Sequence, residues 1–212
     1  MPNEKAPKFR RAIALAMTGA SGAQYGLRLL ERVLAAREPV YLMLSKPAHV
    51  VIASETDLKL PGRGNEIARY LGEIYGAAPG QLQVFGQEEW TAPVASGSAT
   101  ARAMVVCPCS MGTVASLAQG SSKTLIERAG DVMLKERRPL IVVPRETPFS
   151  TIHLENLLRL SQAGALILPA NPGFYHRPKS AEDLVDYIVG RVLDHLGLEH
   201  GLGPRWGVDE LV

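Results

Sequence analysis

The chain has 212 residues, 46% hydrophobic and 21% charged, with a formal net charge of +2, the profile of one globular domain large enough to enclose its own core. This composition excludes disorder, collagen and coiled coil, and a chain of this length needs no disulfide or structural metal for stability. Near-neutrality argues against a general nucleic-acid surface, although residues 123–145 hold six basic residues against three acids.

Taken in chain order, MPNEKAPKFRR reads as a flexible tail over 1–10 leading into IALAM, an apolar run too short for a signal-peptide core. No stretch approaches the roughly 18 apolar residues of a membrane span, so the sequence predicts a cytoplasmic protein with no membrane association. Strands are expected at 12–17, 40–44, 81–85, 103–107, 140–143 and 165–168. Helices are expected at 22–36, from 47–54, and at 65–75, 111–118, 122–136, 152–162 and 181–196. A Gly, Ser and Pro-containing loop fills the interval up to residue 101. This alternation demands crossover connections, hence an α/β domain with a mostly parallel sheet. The domain is read over 11–206, with a C-terminal tail at 207–212. Cys107 and Cys109, one proline apart in an apolar run, fit neither a disulfide framework nor a zinc site and read as a buried strand end.

Ligands of open parallel sheets collect beyond the carboxyl ends of the strands. TGASGAQYG follows the first strand, Ser45 and Lys46 the second, PCSMGT the fourth and PRETP the fifth; these loops are expected on one edge. TGASGAQYG turns a strand into a helix through glycines 19, 22 and 26, either as an anion cradle or as a tight turn capped by Ser21. Its spacing is not the dinucleotide fingerprint, and no acid ends the second strand, so a mononucleotide fits better than NAD. SMGT repeats the design at Ser110 to Thr113, and two such loops favour a flavin or nucleotide site.

Arg128 and Lys135 fall seven apart on one flank of a helix, either converging on an anion or forming a solvated basic face. On the last helix Arg191 lies in the direction of the apolar stripe of Leu184, Ile188 and Val192 and needs either a carboxylate or a ligand phosphate. Arg145 and Glu146 are an adjacent cation and carboxylate at a strand end, able to bind an anion and move a proton, or a surface pair. Glu55 reads as surface charge. Trp90 and Trp206 are core covers or stacking surfaces. The five histidines show no metal spacing, no GxSxG elbow accompanies Ser21, and no DDxxD motif is present to hold Mg²⁺ against a diphosphate.

TGASGA, SK, SETD, ASGS, PCS, ERAGDVMLKERRPL, RETP and GFYHRP, in this order, resemble flavin prenyltransferases of the UbiX type. The resemblance runs from about Ile13 to Trp206. It implies a single Rossmann-like, three-layer flavoprotein domain that binds reduced FMN. That domain joins a dimethylallyl group from dimethylallyl monophosphate to N5 and C6 of the flavin, without a metal. It further implies a homododecamer with sites at subunit interfaces, and a product used by a UbiD-type decarboxylase, often in ubiquinone biosynthesis.

Carried over by position, Gly19, Ala20, Ser21, Ser45, Ser110, Met111, Gly112, Thr113 and Arg145 would hold FMN. Ser96, Gly97, Arg128, Lys135, Glu146, Tyr175, Arg191 and Trp206 would surround the prenyl phosphate. Ser21, Glu55, Glu146, Lys135 and Trp90 would take part in the chemistry. The rival readings are an FMN-dependent cysteine decarboxylase of related fold and a non-catalytic flavin carrier. Against the first, LPANPGFYHRP stands in place of that family's substrate clamp, and no His follows the first strand or SMGT.

Overall fold

The computed structural model describes residues 12–203; the expected tails and Trp206 lie outside the described residues. Six strands form one sheet: β1 (Ile13–Met17), β2 (Val40–Leu44), β3 (Leu82–Phe85), β4 (Ala103–Cys109), β5 (Leu140–Pro144) and β6 (Leu166–Ile167). Their order is β3-β2-β1-β4-β5-β6, and every pairing among them is parallel. Strands covered on both faces read as unbroken apolar runs, as IALAM, VYLML and LIVVP do, each buried throughout.

Seven helices cover the sheet: α1 (Ala23–Ala35), α2 (Lys46–Glu55), α3 (Gly64–Tyr75), α4 (Met111–Ala118), α5 (Leu125–Lys135), α6 (Thr151–Gln162) and α7 (Ala181–Leu196). Strand residues alternate between two cores. Ile13, Leu15 and Met17 join the core under α1, α2, α3 and α7. Ala12, Ala14 and Ala16 join the core under α4, α5 and α6. Gly26 lets α1 lie directly on β4, since a Cβ there would stand 2.3 Å from the Cys107 carbonyl oxygen. Arg28 fastens α7 to α1 through a two-pronged contact with Asp186 (2.7 and 3.0 Å).

Three elements depart from expectation. β4 runs through Pro108 to Cys109, because its pairing with β5 slips between Val106 and Cys109. The slip breaks the two-residue side-chain period, so Cys107 faces one core and Cys109 the other. Burial pushes both thiols far up, and they are inert strand-end residues. α5 starts at Leu125 instead of 122, since the Thr124 hydroxyl accepts the Glu127 N–H, while Glu127 takes up the Ser121 hydroxyl and the Lys123 N–H. β6 is confined to Leu166 and Ile167 at the sheet edge.

Candidate active site

The strand order reverses between β1 and β4, where the chain departs to opposite faces and opens a crevice at the carboxyl ends. The expected loops meet there and are stapled together. Thr18, 2% exposed, donates its hydroxyl to the Pro108 carbonyl (3.0 Å) and accepts the Ser110 N–H (2.8 Å). The Ser45 N–H reaches the Met17 carbonyl (3.0 Å) and the Arg145 N–H the Cys109 carbonyl (3.3 Å).

Neither sequence reading of the first loop holds as it stands. The residue capping α1 is Gly22, in the left-handed region at φ +99° and without a side chain to cap. The capping group is Glu55, whose Oε2 accepts the Gly22 and Ala23 N–H groups at 2.8 and 2.9 Å. A helix N-terminus attracts an anion, and here the protein supplies its own from the last residue of α2. Burial works to raise the Glu55 carboxyl, but the Ser21 hydroxyl, the Ala23 and Gly22 N–H groups and the nearby Arg145 outweigh it and hold the group below the usual carboxylate range. Arg145 closes this cluster by donating from Nε to the Ser21 carbonyl (3.0 Å). Ser21, Glu55 and Arg145, drawn from two loops and the end of α2, therefore act as one unit.

The α2 and α4 N-termini carry hydroxyls of their own. Ser45 accepts the Ala48 N–H (3.1 Å). Ser110 accepts the Thr113 N–H (3.4 Å), with the two hydroxyls 3.1 Å apart. Met111 is buried beneath this turn, while Gly112 faces open space, with no atom within 4 Å of where a Cβ would stand. Gly19 is exposed and Ala20 buried. Glu146 is half-buried beside Arg145 and accepts the Thr147 N–H (3.1 Å).

The remaining residues fall into two groups on opposite layers. Arg128 and Lys135 belong to α5, on one face of the sheet. Arg128 donates from Nε to the Ala95 carbonyl (3.0 Å) and pairs with Asp131 (2.9 Å), which fixes it against the loop carrying Ser96 and Gly97. Lys135 pairs with Glu136, onto which Gly97 backs directly. Two helical turns, roughly 10 Å of axis, separate the two cations, and within the chain each has its own acid. Trp90 stands 48% exposed in the loop after β3.

Tyr175 and Arg191 lie over α7, on the other face, where both line a cavity of about 780 Å³. A hydrogen bond with Tyr187 and partial burial push the Tyr175 phenol up, against the opposing pull of Arg191. Arg191 does not point into the core: its side chain is 50% exposed and pairs with Asp194 at 2.7 Å. The buried stripe of α7 is Ile188, Val189, Val192, Leu193 and Leu196, and Arg191 is turned roughly 130° from its centre at 100° per residue. Leu184, only half-buried, was the misleading reference.

A family model described as Flavoprotein matches residues 2–193. The flavin prenyltransferase UbiX of Pseudomonas aeruginosa is 58% identical over 200 residues, covering 94% of this chain and 96% of the relative. The chain belongs to the UbiX family of flavin prenyltransferases. Among solved members of similar architecture, AnUbiX in complex with FMN and dimethylallyl pyrophosphate is 43% identical with a TM-score of 0.83, covering 95% of this chain and all of its own. A dodecameric FMN-dependent UbiX-like decarboxylase from Escherichia coli O157:H7 is 39% identical with a TM-score of 0.81, covering 92% and 98%. Thr18, Asp131, Glu136, Asp194 and His200 were not singled out from the sequence, because isolated polar residues in loops and on helix flanks carry no periodic signal.

Proposed function

We propose that this chain joins a dimethylallyl group from dimethylallyl monophosphate to N5 and C6 of reduced FMN, giving prenylated FMN and phosphate. The carrying observation is the Ser21–Glu55–Arg145 unit at the strand-order reversal, built by long-range hydrogen bonds between two loops and the end of α2. The donor set fits a flavin mononucleotide. With the α1 N-terminus taken by Glu55, the α2 and α4 turns remain, with Ser45, Ser110, Thr113 and the open flank of Gly112 for the phosphate and ribityl chain. Gly19, Ala20, Met111 and Arg145 would complete the FMN site. Reduced FMN, when bound, supplies the nucleophilic nitrogen and ring carbon that accept the prenyl group.

The chain's own residues do the rest. Breaking the allylic C–O bond places negative charge on the departing phosphate, and Arg128, Lys135 and Arg191, with Ser96, Gly97 and Tyr175, are cast to neutralise it. Protein cations suffice for a monophosphate, consistent with the missing DDxxD motif. Glu146 donates the proton that leaves with phosphate or assists ring closure. Ser21, hydrogen-bonded to a carboxylate held ionised, relays the proton released at N5 to Glu55. Trp90 and Trp206 offer π surface to the developing allyl cation.

That α5 and α7 cover opposite faces supports a phosphate site assembled from neighbouring copies in a homododecamer. Exposed Ile152, Leu154 and Leu158 on α6 and Phe174 beside Tyr175 supply apolar surface for such contacts. No helix among the described residues is long and apolar enough to cross a membrane, in keeping with a cytoplasmic enzyme. Its product would serve a UbiD-type decarboxylase, as in ubiquinone biosynthesis. The test is anaerobic incubation with reduced FMN and dimethylallyl monophosphate: a flavin gaining the prenyl mass with stoichiometric phosphate supports the reading. An unchanged flavin would overturn it, with flavin retention alone pointing to a carrier and turnover of a peptidyl-cysteine to a decarboxylase.

A further inference from the structure

Beyond α7 the chain turns back across the helix and buries His200, whose side chain is 5% exposed. The ring lies against Gly190, where a methyl group would approach its Cε1 to 3.1 Å. Nδ1 is 3.2 Å from the Leu202 N–H. A backbone N–H only donates, so Nδ1 is the bare, accepting nitrogen and the ring proton sits on Nε2. Nε2 in turn donates to Asp194 Oδ1 (3.1 Å). The other oxygen of that carboxylate, Oδ2, accepts from Arg191 Nη1 (2.7 Å). The guanidinium, Tyr175 and His200 all border the 780 Å³ cavity over α7.

An exposed pair three residues apart on a helix is weak and does not hold a long side chain in one rotamer. Here the carboxylate is gripped from behind by a buried ring that cannot turn without losing the Leu202 contact or striking Gly190. We propose that His200 is a positioning residue: through Asp194 it sets the direction in which Arg191 is presented to the donor phosphate. The inference rests on the reading of Arg191 as a phosphate-binding residue.

His200→Phe keeps an aromatic ring against Gly190 and removes both hydrogen bonds. The expected result is a rise of about tenfold in KM for dimethylallyl monophosphate, the size of one charge-assisted hydrogen bond, with kcat and FMN affinity nearly unchanged. Calorimetric binding of the donor to oxidised, non-reacting holoenzyme should weaken to match. Arg191→Ala should raise KM as well, and the double variant should equal Arg191→Ala alone. An unchanged KM in His200→Phe, or effects that multiply in the double variant, would overturn the relay. If the Phe variant does not fold, His200→Gln and His200→Asn replace it. Gln can place an amide N–H where Nε2 stood and Asn cannot, so a KM near wild type for Gln alone sustains the relay and equal KM values refute it. Loss of the parent reading is seen separately, as wild-type protein that leaves reduced FMN unprenylated or as an Arg191→Ala variant with unaltered KM; the relay falls with it.

Discussion

The crevice at the strand ends and the cations on the outer helices are held in different ways. In the crevice, Thr18, Glu55 and Arg145 bond across separations of 32 to 124 residues, so folding the sheet completes the geometry. On α5 and α7, Arg128 and Arg191 find their charge partners three residues away in Asp131 and Asp194, with a single long-range bond added from Arg128 to the Ala95 carbonyl. Such local, partly exposed pairs contribute little to stability. They keep a guanidinium soluble while leaving it available to an anion. On the proposed function, the flavin half of the site is a product of the fold, and the phosphate half is a set of parts that assembly would bring together.

Four measurements would break or sharpen that contrast. The largest effect is expected from Glu146→Gln, which removes an acid but no staple. Flavin retention should persist while prenylation, followed by flavin mass, slows by about 10² to 10⁴-fold, the usual worth of a positioned proton donor. Next, Arg128→Ala and Arg191→Ala should each cut turnover at low donor concentration by roughly 10 to 100-fold through lost charge-assisted contacts. Co-expression of the two variants should restore part of that turnover, because mixed assemblies contain sites with both arginines. No recovery would mean that a site draws both arginines from one chain or that the two serve separate sites, and either outcome removes the shared intersubunit site.

The crevice should respond in stability. Thr18→Val keeps the shape and the backbone N–H that also reaches the Pro108 carbonyl, but strands the Ser110 N–H, and should cost about 2 kcal/mol in urea unfolding. Glu55→Gln should cost less, about 1 kcal/mol at neutral pH, as the loss of a charge at a helix N-terminus, the Gln amide oxygen still accepting the two N–H groups. Its pH dependence has a definite sign. The folded-state carboxyl lies below its ordinary value of 4.5, so its contribution is complete above that value and fades as the pH falls through the lower folded value. The gap between wild type and Glu55→Gln should close over that acidic range. A gap that stayed constant would remove the ionised carboxylate from the account.

The same contrast explains what could be read from the sequence. Buried parallel strands are apolar without interruption, so β1, β2, β4 and β5 are visible, the edge strands β3 and β6 are short and only partly buried, and α7 is bounded at both ends by Ser180 and the left-handed Gly197. The gathering of loops on one edge follows from the parallel topology. Glu55 looked like surface charge because its partners, Gly22 and Ala23, are more than thirty residues away. Proline ordinarily ends a strand, and the two-residue overrun of β4 depends on a slip in pairing that only the neighbouring strand reveals. Arg191 was placed by counting from Leu184, which is not in the centre of the buried face. Thr18 and His200 carry no pattern at all; their roles come from the atoms they meet.

The carboxylate of Glu55 at the head of α1 has one more consequence. A helix start that waits for a ligand's phosphate is commonly loose until the ligand arrives, and binding must then supply the ordering free energy. Here the negative charge is built in, and Glu55 and Arg145 already bond the loop that surrounds it. Flavin should consequently enter by simple docking, with an association rate insensitive to the protein's own slow motions.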